Sequence, residues 1–505
     1  MFHLDPKQAV LEHVAHPPKA KAGPVKLGDL AAAIADRPIE PTYPASVVVG
    51  VAQVLEIGVL MLTGITLFGL NGGDKLLSVI TTLAVVAVAH LFINLARMHR
   101  IAAYRLGFEQ IWKCVLAWTA AFAVLGALVL LYDSGNALSR NWIFNWWAVG
   151  LVVLVAYRVA LYQVVTRWTE QGKLKRRTVI VGGGKDAEAL IESIKTGAHD
   201  DITLLGLFDD RNDDRSPESV ATVAKLGRVA ELIEFARRTR VDLVIVSMPL
   251  FAEHRVLDML KQLWVLPVDI RLSAHMSKLR FTSKAYSYVG GVPVFDMADR
   301  PISDWNLVFK WLFDKLVAIT ALILLSPVMI ATAIAIKLES PGPVFFRQKR
   351  HGFNNQLIDM WKFRSMRTDM VDTNATKLVT KDDPRVTRVG KFIRKTSIDE
   401  LPQLFNVLKG DLSIVGPRPH ALAAKADNQL YHDAVDGYFA RHRVKPGMTG
   451  WAQVHGWRGE TDTVEKIMQR VNHDLYYIEN WSLWLDLKIV ALTPISLFTQ
   501  RKNAF

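Results

Sequence analysis

The sequence RKTSIDELPQ (394–403) places two cationic residues shortly before the adjacent carboxylates of Asp399 and Glu400. Ser397 and Glu400 have the spacing of a capping box, and the helix dipole favours acidic residues in a first turn. Pro402 fits better with Asp399 as the N-cap. Proline has no N–H, and with this cap Pro402 lies in the first turn, where an N–H would have no intrahelical partner in any case. The stretch predicts a helix that begins after Ser397 or Asp399, and that structural role alone would explain the acid pair.

Cationic residues around the acid pair favour a chemical role instead. They are Lys362, Arg364, Arg394, Lys395 and Arg418, the last within the stiff sequence GPRP (416–419). The guanidinium fork of arginine matches phosphate oxygens, and helix N-termini supply further donors. Two carboxylates would repel a phosphate unless a hard cation such as Mg²⁺ lay between them. The combination predicts phosphoryl transfer, with a carboxylate as nucleophile or metal ligand.

Residues 357–366 alternate in polarity as a β-strand does. A strand here would place Lys362 and Arg364 on one face and Trp361 and Phe363 on the other. Two cations on one face suit a phosphate contact. A face in solvent explains the same pattern, so both interpretations stay open.

Five motifs follow one another in the C-terminal part of the chain. They are SPGPVFF (340–346), WKFRSM (361–366), SIDELPQ (397–403), GDLSIVGPRP (410–419) and KPGMTGWAQV (445–454). In this order they resemble the bacterial sugar transferase family, and within it the monotopic polyprenyl-phosphate phosphoglycosyl transferases. The resemblance covers residues 304–505, which it implies to be an α+β catalytic domain.

The resemblance implies roles for individual residues by their position in these motifs. Asp399 matches the nucleophile, Glu400 matches a second acid, and both are linked to Mg²⁺. Further substrate-binding positions fall on Lys362, Arg394, Arg418, Lys445 and Gln453. The strand pattern adds Arg364 to this set.

The reaction implied by the resemblance uses a UDP-sugar and undecaprenyl phosphate as substrates and releases UMP. The sequence WAQVHGWRGET (451–461) is similar to members that transfer glucose 1-phosphate from UDP-glucose, with galactose 1-phosphate as the close alternative. Such a reaction is the first membrane step of exopolysaccharide, capsule or O-antigen synthesis.

Composition indicates a membrane protein, because half of the 505 residues are hydrophobic while the net charge is +13. The basic residues are dispersed among acids without a base-reading motif, which argues against nucleic-acid binding. Residues 1–44 are predicted to form a cytoplasmic tail with a short helix near 27–35. Residues 45–166 then contain four apolar runs (45–70, 76–96, 114–132 and 142–165), each near the roughly 20 residues that cross a bilayer.

The charges of the connections predict the orientation of this four-helix transmembrane bundle. Basic connections alternate with connections poor in charge, which places both ends of the bundle in the cytoplasm of a bacterium, at its inner membrane. Glu56 and Arg158, the charges inside the runs, are expected to snorkel or to face a neighbouring helix rather than to serve transport. The sequence is also compatible with a homodimer.

Residues 175–300 have the pattern of a Rossmann-like α/β domain on the cytoplasmic side. A buried strand at 178–181 leads into Gly182, Gly184 and Ala187 with G-x-G-x-x-A spacing, and further strands are predicted at 203–208, 241–247 and 268–272. The Gly-rich turn is a weak signal for a bound dinucleotide. A dehydratase or epimerase would need a Tyr-x-x-x-Lys pair, which is absent here; a nucleotide-sensing scaffold is the non-enzymatic alternative. Residues 281–300 are predicted to be a connector.

Residues 316–336 are apolar and long enough to cross a bilayer, but Ser326 and Pro327 lie at their centre. Proline removes a helical hydrogen bond, so a kink or break is expected there. Lys310, Lys315 and Lys337 flank the segment on both sides, which gives both ends a cytoplasmic signature. These features predict a re-entrant membrane helix that breaks at Ser326-Pro327 and turns back, although a bent crossing helix stays open.

Overall fold

The computed structural model describes residues 26–38, 41–71, 75–131, 139–196, 201–211, 218–248, 253–273, 287–289, 292–367, 383–420, 425–426, 429–431, 435, 438–457, 459 and 463–499. Contacts divide the chain into two compact units. One unit is Glu40–Lys175, and the other combines Met1–Ile39 with Arg176–Phe505.

The helices of the described residues are α1 (Asp29–Ala35), α2 (Ala45–Asn71), α3 (Lys75–Leu95), α4 (Ile101–Tyr104), α5 (Phe108–Leu131), α6 (Arg140–Glu170), α7 (Lys185–Thr196), α8 (Val229–Arg238), α9 (Glu253–Leu263), α10 (Asp304–Glu339), α11 (Arg388–Thr396), α12 (Gln403–Lys409), α13 (Trp451–Val454), α14 (Val464–Glu479) and α15 (Leu483–Thr499). The strands are β1 (Arg176–Val181), β2 (Ile202–Phe208), β3 (Ser219–Val220), β4 (Val223–Gly227), β5 (Leu243–Val246), β6 (Asp269–Ser273), β7 (Ser287–Val289), β8 (Val292–Ala298), β9 (Phe345–His351), β10 (Leu357–Phe363), β11 (Ser413–Val415), β12 (Lys425–Ala426), β13 (Gln429–Leu430) and β14 (Gly447–Thr449).

Five of these helices, α2, α3, α5, α6 and α10, are long and apolar enough to cross a membrane, as judged by length and composition. The chain is therefore a multi-pass membrane protein. Within the first unit, the indole N–H of Trp142 donates to the Gly64 carbonyl at 3.1 Å, which joins α6 to α2. Glu56 of α2 and Arg158 of α6 are both buried and form an ion pair at 2.6 Å. Each of these two charged side chains thus faces a neighbouring helix, and the two charges neutralise each other.

The second unit contains an eight-stranded mixed sheet in the order β3-β4-β2-β1-β5-β6-β8-β7. Its centre, from β4 to β6, is parallel, whereas β3, β8 and β7 pair antiparallel. Apolar residues on both faces explain the continuous hydrophobic runs of β1 and β5. The connector predicted at 281–300 is wrong for its described residues, because β7 and β8 extend the sheet. Helix α1 packs through Ala31 and Ala35 against α8.

Helix α10 continues through Pro327 as a single 36-residue helix, so the expected break is not an interruption of the helix. The Ser326 hydroxyl donates to the Ile323 carbonyl at 2.9 Å. Ile323 is the residue four positions before Pro327, and the proline has no N–H to give its carbonyl. Ser326 therefore supplies the hydrogen bond that Pro327 removes.

Both halves of α10 pack against the C-terminal domain. Ala318 lies in an apolar cluster with residues of β11, α12, α14 and α15, whereas Met329 and Ile336 lie in another with Phe363 and Ile393. Polar contacts hold both ends. The Lys310 ammonium binds Asp486 at 2.8 Å and the Val415 carbonyl at 3.0 Å. At the other end, Glu339 accepts hydrogen bonds from the first backbone N–H groups of α11.

Candidate active site

The acid pair lies in a short 3₁₀ turn, Ile398–Glu400, between α11 and α12. Ser397 adopts the left-handed conformation, with φ of 61°, and makes no capping hydrogen bond with its side chain. Helix α12 has Pro402 as its N-cap and begins at Gln403. The capping-box prediction and the alternative cap at Asp399 are therefore wrong. The reason is that the Glu400 carboxylate is bound by side chains distant in sequence.

Two cations bind Glu400. The Lys362 ammonium donates to it at 3.0 Å, and both terminal nitrogens of Arg418 donate to its two carboxylate oxygens, one at 3.1 Å. Burial alone would raise the pKa of Glu400, but the Arg418 and Lys362 charges hold it well below its ordinary value. Glu400 is therefore a neutralised, oriented carboxylate rather than a proton donor.

Asp399 lies beside this clamp but is bound more weakly. One Asp399 oxygen is 3.9 Å from the Lys362 ammonium, and its side chain is 13% exposed. Burial raises the pKa of Asp399; the Lys362 charge opposes this, and the Glu400 charge adds to it. Asp399 thus has oxygens that remain available to a substrate or to a cation.

The loop that carries Arg418 is held by the KPGMTGWAQV segment. Strands β11 and β14 pair in parallel, with Ser413 opposite Gly447 and Val415 opposite Thr449. A Cβ atom at Gly447 would lie 2.1 Å from the Gly416 nitrogen, so this approach excludes any larger residue. The two motifs therefore form one structural element behind the acid pair.

The structure brings four of the predicted cationic and acidic residues into one group. A fifth predicted residue, Arg394, lies at the edge of this group. Direct contacts join Lys362, Asp399, Glu400 and Arg418. Arg394 lies in the last turn of α11, and its charge opposes the rise in the pKa of Asp399 that burial causes.

Arg364 does not join this group. The structure thus contradicts the prediction that Arg364 contacts a phosphate. Strand β10 ends at Phe363, one residue before Arg364. The buried Arg364 guanidinium instead donates to carbonyls at the C-terminus of α10, including Ser340 at 2.8 Å and also Pro341. Its donors therefore cap a helix end.

Lys445 precedes β14 and Gln453 lies in α13, so neither is part of the acid cluster. Burial lowers the pKa of Lys445; the charges of Asp314 and Asp411 oppose this effect, and the charge of Lys315 adds to it. The Gln453 amide donates to the Met448 carbonyl at 3.4 Å, and its buried amide oxygen has no hydrogen-bond partner among the described residues. An unpaired buried acceptor of this kind is costly unless a ligand completes it.

Sequence reasoning missed a layer of arginines behind Arg418. Arg350 donates to the Pro419 carbonyl at 2.8 Å, and Arg441 donates to the Arg418 carbonyl at 2.6 Å. Burial, together with the Arg418 charge, lowers the pKa of Arg350 to about 10. The Arg441 guanidinium also contacts His420, whose pKa burial and this charge hold well below its ordinary value. A signal in the sequence was the density of basic residues in RHRVK (441–445).

Asp399 and Glu400 could together hold a divalent cation. Mg²⁺ is commonly bound by one or two carboxylates, with substrate phosphate oxygens and water in the other positions. The described residues contain no group of three or more His, Cys, Asp or Glu side chains suited to a metal. Because both Glu400 oxygens are already bound by Arg418 and Lys362, such an ion would depend on the freer oxygens of Asp399 and on the phosphates of the substrate.

Fold and site together define a membrane-associated enzyme, in which paired acids and a cationic shell lie beside a long apolar helix. The family model described as bacterial sugar transferase matches residues 305–500, and one described as CoA-binding domain matches residues 95–274. The chain belongs to the bacterial sugar transferase family.

Three similar proteins show how far this likeness extends. A UDP-glucose:undecaprenyl-phosphate glucose-1-phosphate transferase of Xanthomonas campestris pv. campestris is 37% identical over 76% of this chain and 79% of its own length. A protein of the same description from Escherichia coli (strain K12) is 38% identical over 76% and 81%. A UDP-N-acetylgalactosamine-undecaprenyl-phosphate N-acetylgalactosaminephosphotransferase of Aeromonas hydrophila is 47% identical, but over 37% of this chain and 43% of its own.

The contacts of Arg364 predict a loss of stability when it is replaced. Arg364→Gln removes the charged donors from the carbonyls at the end of α10, and hydrogen bonds to a charged group contribute about 2 kcal/mol to stability. We expect a lower melting temperature of the purified protein in detergent. Arg347→Gln is the control, because Arg347 is exposed on the same hairpin and lies over the Trp361 ring. Equal melting temperatures for the two variants would contradict the capping role.

Proposed function

We propose that this chain transfers glucose 1-phosphate from UDP-glucose to undecaprenyl phosphate and releases UMP. The observation that carries the proposal is the unequal acid pair, in which Glu400 is neutralised by Lys362 and Arg418 while Asp399 keeps accessible oxygens. The similarity to two glucose-1-phosphate transferases over three quarters of the chain supports the choice of substrates.

The proposed reaction has two displacement steps. An Asp399 oxygen attacks the sugar-bearing phosphorus of UDP-glucose, the bond from that phosphorus to the bridging oxygen breaks, and UMP leaves. An oxygen of undecaprenyl phosphate then attacks the same phosphorus of the phosphosugar-aspartate, and the Asp399 carboxylate is released. Two steps through a covalent intermediate divide one difficult displacement between anions. Lys362, Arg394 and Arg418 disperse the charge that develops on the phosphoryl oxygens.

Mg²⁺ bound by Asp399 and Glu400 would supply further neutralisation of the donor diphosphate. The fit rests on the weak contact between Asp399 and Lys362 and on the burial that raises the pKa of Asp399. A nearby divalent charge would favour the ionised form, which is the form that attacks.

Replacement of Asp399 tests the nucleophile. Asp399→Asn retains the size of the side chain but removes its charge and most of its nucleophilicity, so we expect UMP release to fall by at least about 10³-fold. UMP release from UDP-glucose is measured in detergent with undecaprenyl phosphate present. Asp359→Asn, at an exposed acid of β10, is the control and should retain activity. Turnover by Asp399→Asn near the wild-type rate would exclude a covalent Asp399 intermediate.

Removal of divalent cations tests the metal site. Treatment with EDTA should abolish UMP release, and added Mg²⁺ should restore it, because the donor diphosphate would lose the ion that offsets its charge. Glu400→Gln should raise the Mg²⁺ concentration needed for half-maximal activity. Full activity in EDTA would refute the role of a metal.

The same assay with several donors separates glucose from galactose transfer. The relative named for N-acetylgalactosamine is 47% identical over 37% of the chain, so high identity over a part of this length does not by itself fix the sugar. UDP-glucose is the expected preferred donor.

We further propose that α10 is a re-entrant helix in the bacterial inner membrane and that the C-terminal domain lies on the cytoplasmic side. Exposed apolar residues line the middle of α10, among them Ile323, Leu324 and Ile330, at 68%, 71% and 60% exposure. Such a surface is typical of contact with lipid. Polar contacts at both ends of the helix lead to the same domain, as those of Lys310 and Glu339 show. If α10 enters and leaves the membrane at the same face, both its exposed apolar surface and the polar contacts at its two ends are explained.

Cysteine labelling tests this topology. In a Cys114→Ser background, we expect Leu307→Cys and Leu338→Cys to react with a membrane-impermeant maleimide in inverted vesicles and to be protected in intact spheroplasts, because both ends face the cytoplasm. Leu76→Cys and Leu95→Cys, at the two ends of α3, serve as the control and should label from opposite sides. Labelling of positions 307 and 338 from opposite sides would show that α10 crosses the bilayer.

A further inference from the structure

The segment Tyr438–Arg443 lies between the α/β sheet domain and the acid cluster. Arg443 and Arg441 in it are 5% and 1% exposed. Buried arginines need hydrogen-bonding or stacking partners, since an unpaired buried charge is strongly destabilising. The partners of this segment come from both sides.

The α/β domain supplies three contacts to the segment. The Arg237 guanidinium of α8 lies 5.5 Å from the centre of the Phe439 ring, and that of Arg443 lies 4.6 Å from the centre of the Trp264 ring. Arg443 also donates to the Asp299 carbonyl at 3.2 Å. Guanidinium groups stack well on aromatic rings, so these contacts fix both ends of the segment.

The turn between β9 and β10 adds a second connection. Asn354 donates to the Ala236 carbonyl of α8 at 2.8 Å, and its neighbour Asn355 binds His442. Both asparagines have positive φ angles, 51° and 60°. The hairpin that carries Lys362 is thereby joined to α8 and to the same buried segment.

Arg441 transmits these contacts to the site. It donates to the Arg418 carbonyl at 2.6 Å, forms an ion pair with Asp474 at 2.6 Å, and contacts His420 at 2.6 Å. Arg418 in turn binds Glu400. A continuous series of contacts therefore runs from α8 through the buried segment to the acid pair.

We propose that the α/β domain is a positioning element of the transferase site: through Arg237 and Trp264 it holds Tyr438–Arg443, so that Arg441 keeps the Arg418 loop on Glu400. The inference rests on the proposed function for its kinetic consequence but not for its structural one. Arg237, Trp264 and Arg441 are positioning residues, because they act through Arg418.

A matched pair of variants on one helix turn provides the first test. Arg237→Ala removes the cation over Phe439, whereas Arg238→Ala removes a neighbouring exposed arginine that pairs with Glu234. We expect Arg237→Ala to lower kcat for UMP release about tenfold, as a small displacement of a positioned group does. KM for undecaprenyl phosphate should not change, and Arg237→Lys should restore part of kcat. Equal kcat values for the two alanine variants would overturn the proposal.

A double-mutant cycle tests the route through Arg441. If Trp264 acts through this residue, Trp264→Leu should lower kcat strongly in the wild-type background and little in Arg441→Lys. Fully multiplicative effects would show that Trp264 and Arg441 act independently, which would contradict the proposed series.

Hydrogen exchange gives a result that does not depend on activity. Amide exchange of Gly416, Arg418 and His420, the residues of this loop that carry an N–H, should be faster in Arg237→Ala than in wild type and unchanged in Arg238→Ala, because Arg441 no longer holds the loop firmly. Absence of UMP release by the wild-type protein, with this exchange difference present, would refute the proposed function and support the positioning role. Unchanged exchange in Arg237→Ala would refute the positioning role itself.

Discussion

The clamp of Lys362 and Arg418 on Glu400 is the interaction on which the site depends. Two adjacent carboxylates in a partly buried position repel each other, and burial raises the cost of charge for both. A bidentate arginine and a shared ammonium remove this cost for one acid, since charge-assisted hydrogen bonds are strong in such surroundings. The other acid, Asp399, can then be kept nearby with its oxygens incompletely bound. The asymmetry follows from where the cations are held.

The positions of the acid pair and of the Arg418 loop depend in turn on the apolar helix α10. Ile398 and Leu401, on either side of the acids, pack in the cluster that contains Met329 and Ile336 of the second half of α10. The other half is fixed by Lys310, which binds Asp486 and the carbonyl of Val415, the residue immediately before the Gly416-Arg418 turn. One helix thus supports the acid pair from one side and the Arg418 loop from the other. A site for a lipid-borne phosphate needs such proximity to an apolar surface.

Sequence reasoning worked where motifs carry long-range information and failed where it relied on local rules. The motif order pointed to Lys362, Asp399, Glu400 and Arg418, which the structure brings into contact. The capping-box rule failed at Glu400, because cations from other segments compete for its carboxylate. The alternation rule failed at Arg364, because the strand ends one residue earlier and a helix C-terminus attracts the guanidinium. The basic RHRVK segment signals the arginine layer only weakly, since the partners of these arginines, among them the Arg418 and Pro419 carbonyls, lie far away in sequence.

The α/β domain shows why a fold signature and a ligand must be argued separately. In dinucleotide-binding sheets, the Gly-rich first turn offers its N–H groups to phosphates and an acid at the end of the second strand binds a ribose. Here the acid in that place, Asp209, accepts the Gly183 N–H at 2.7 Å and is bound by Arg211 at 2.8 Å. The Gly-rich turn and the acid at the end of the second strand are therefore hydrogen-bonded to each other. The outer surface of the domain, by contrast, supplies Arg237, Trp264 and the Asp299 carbonyl to the segment behind Arg418. Because these contacts lead to the acid pair, the contribution of the domain to catalysis is better sought at this surface than in its crevice.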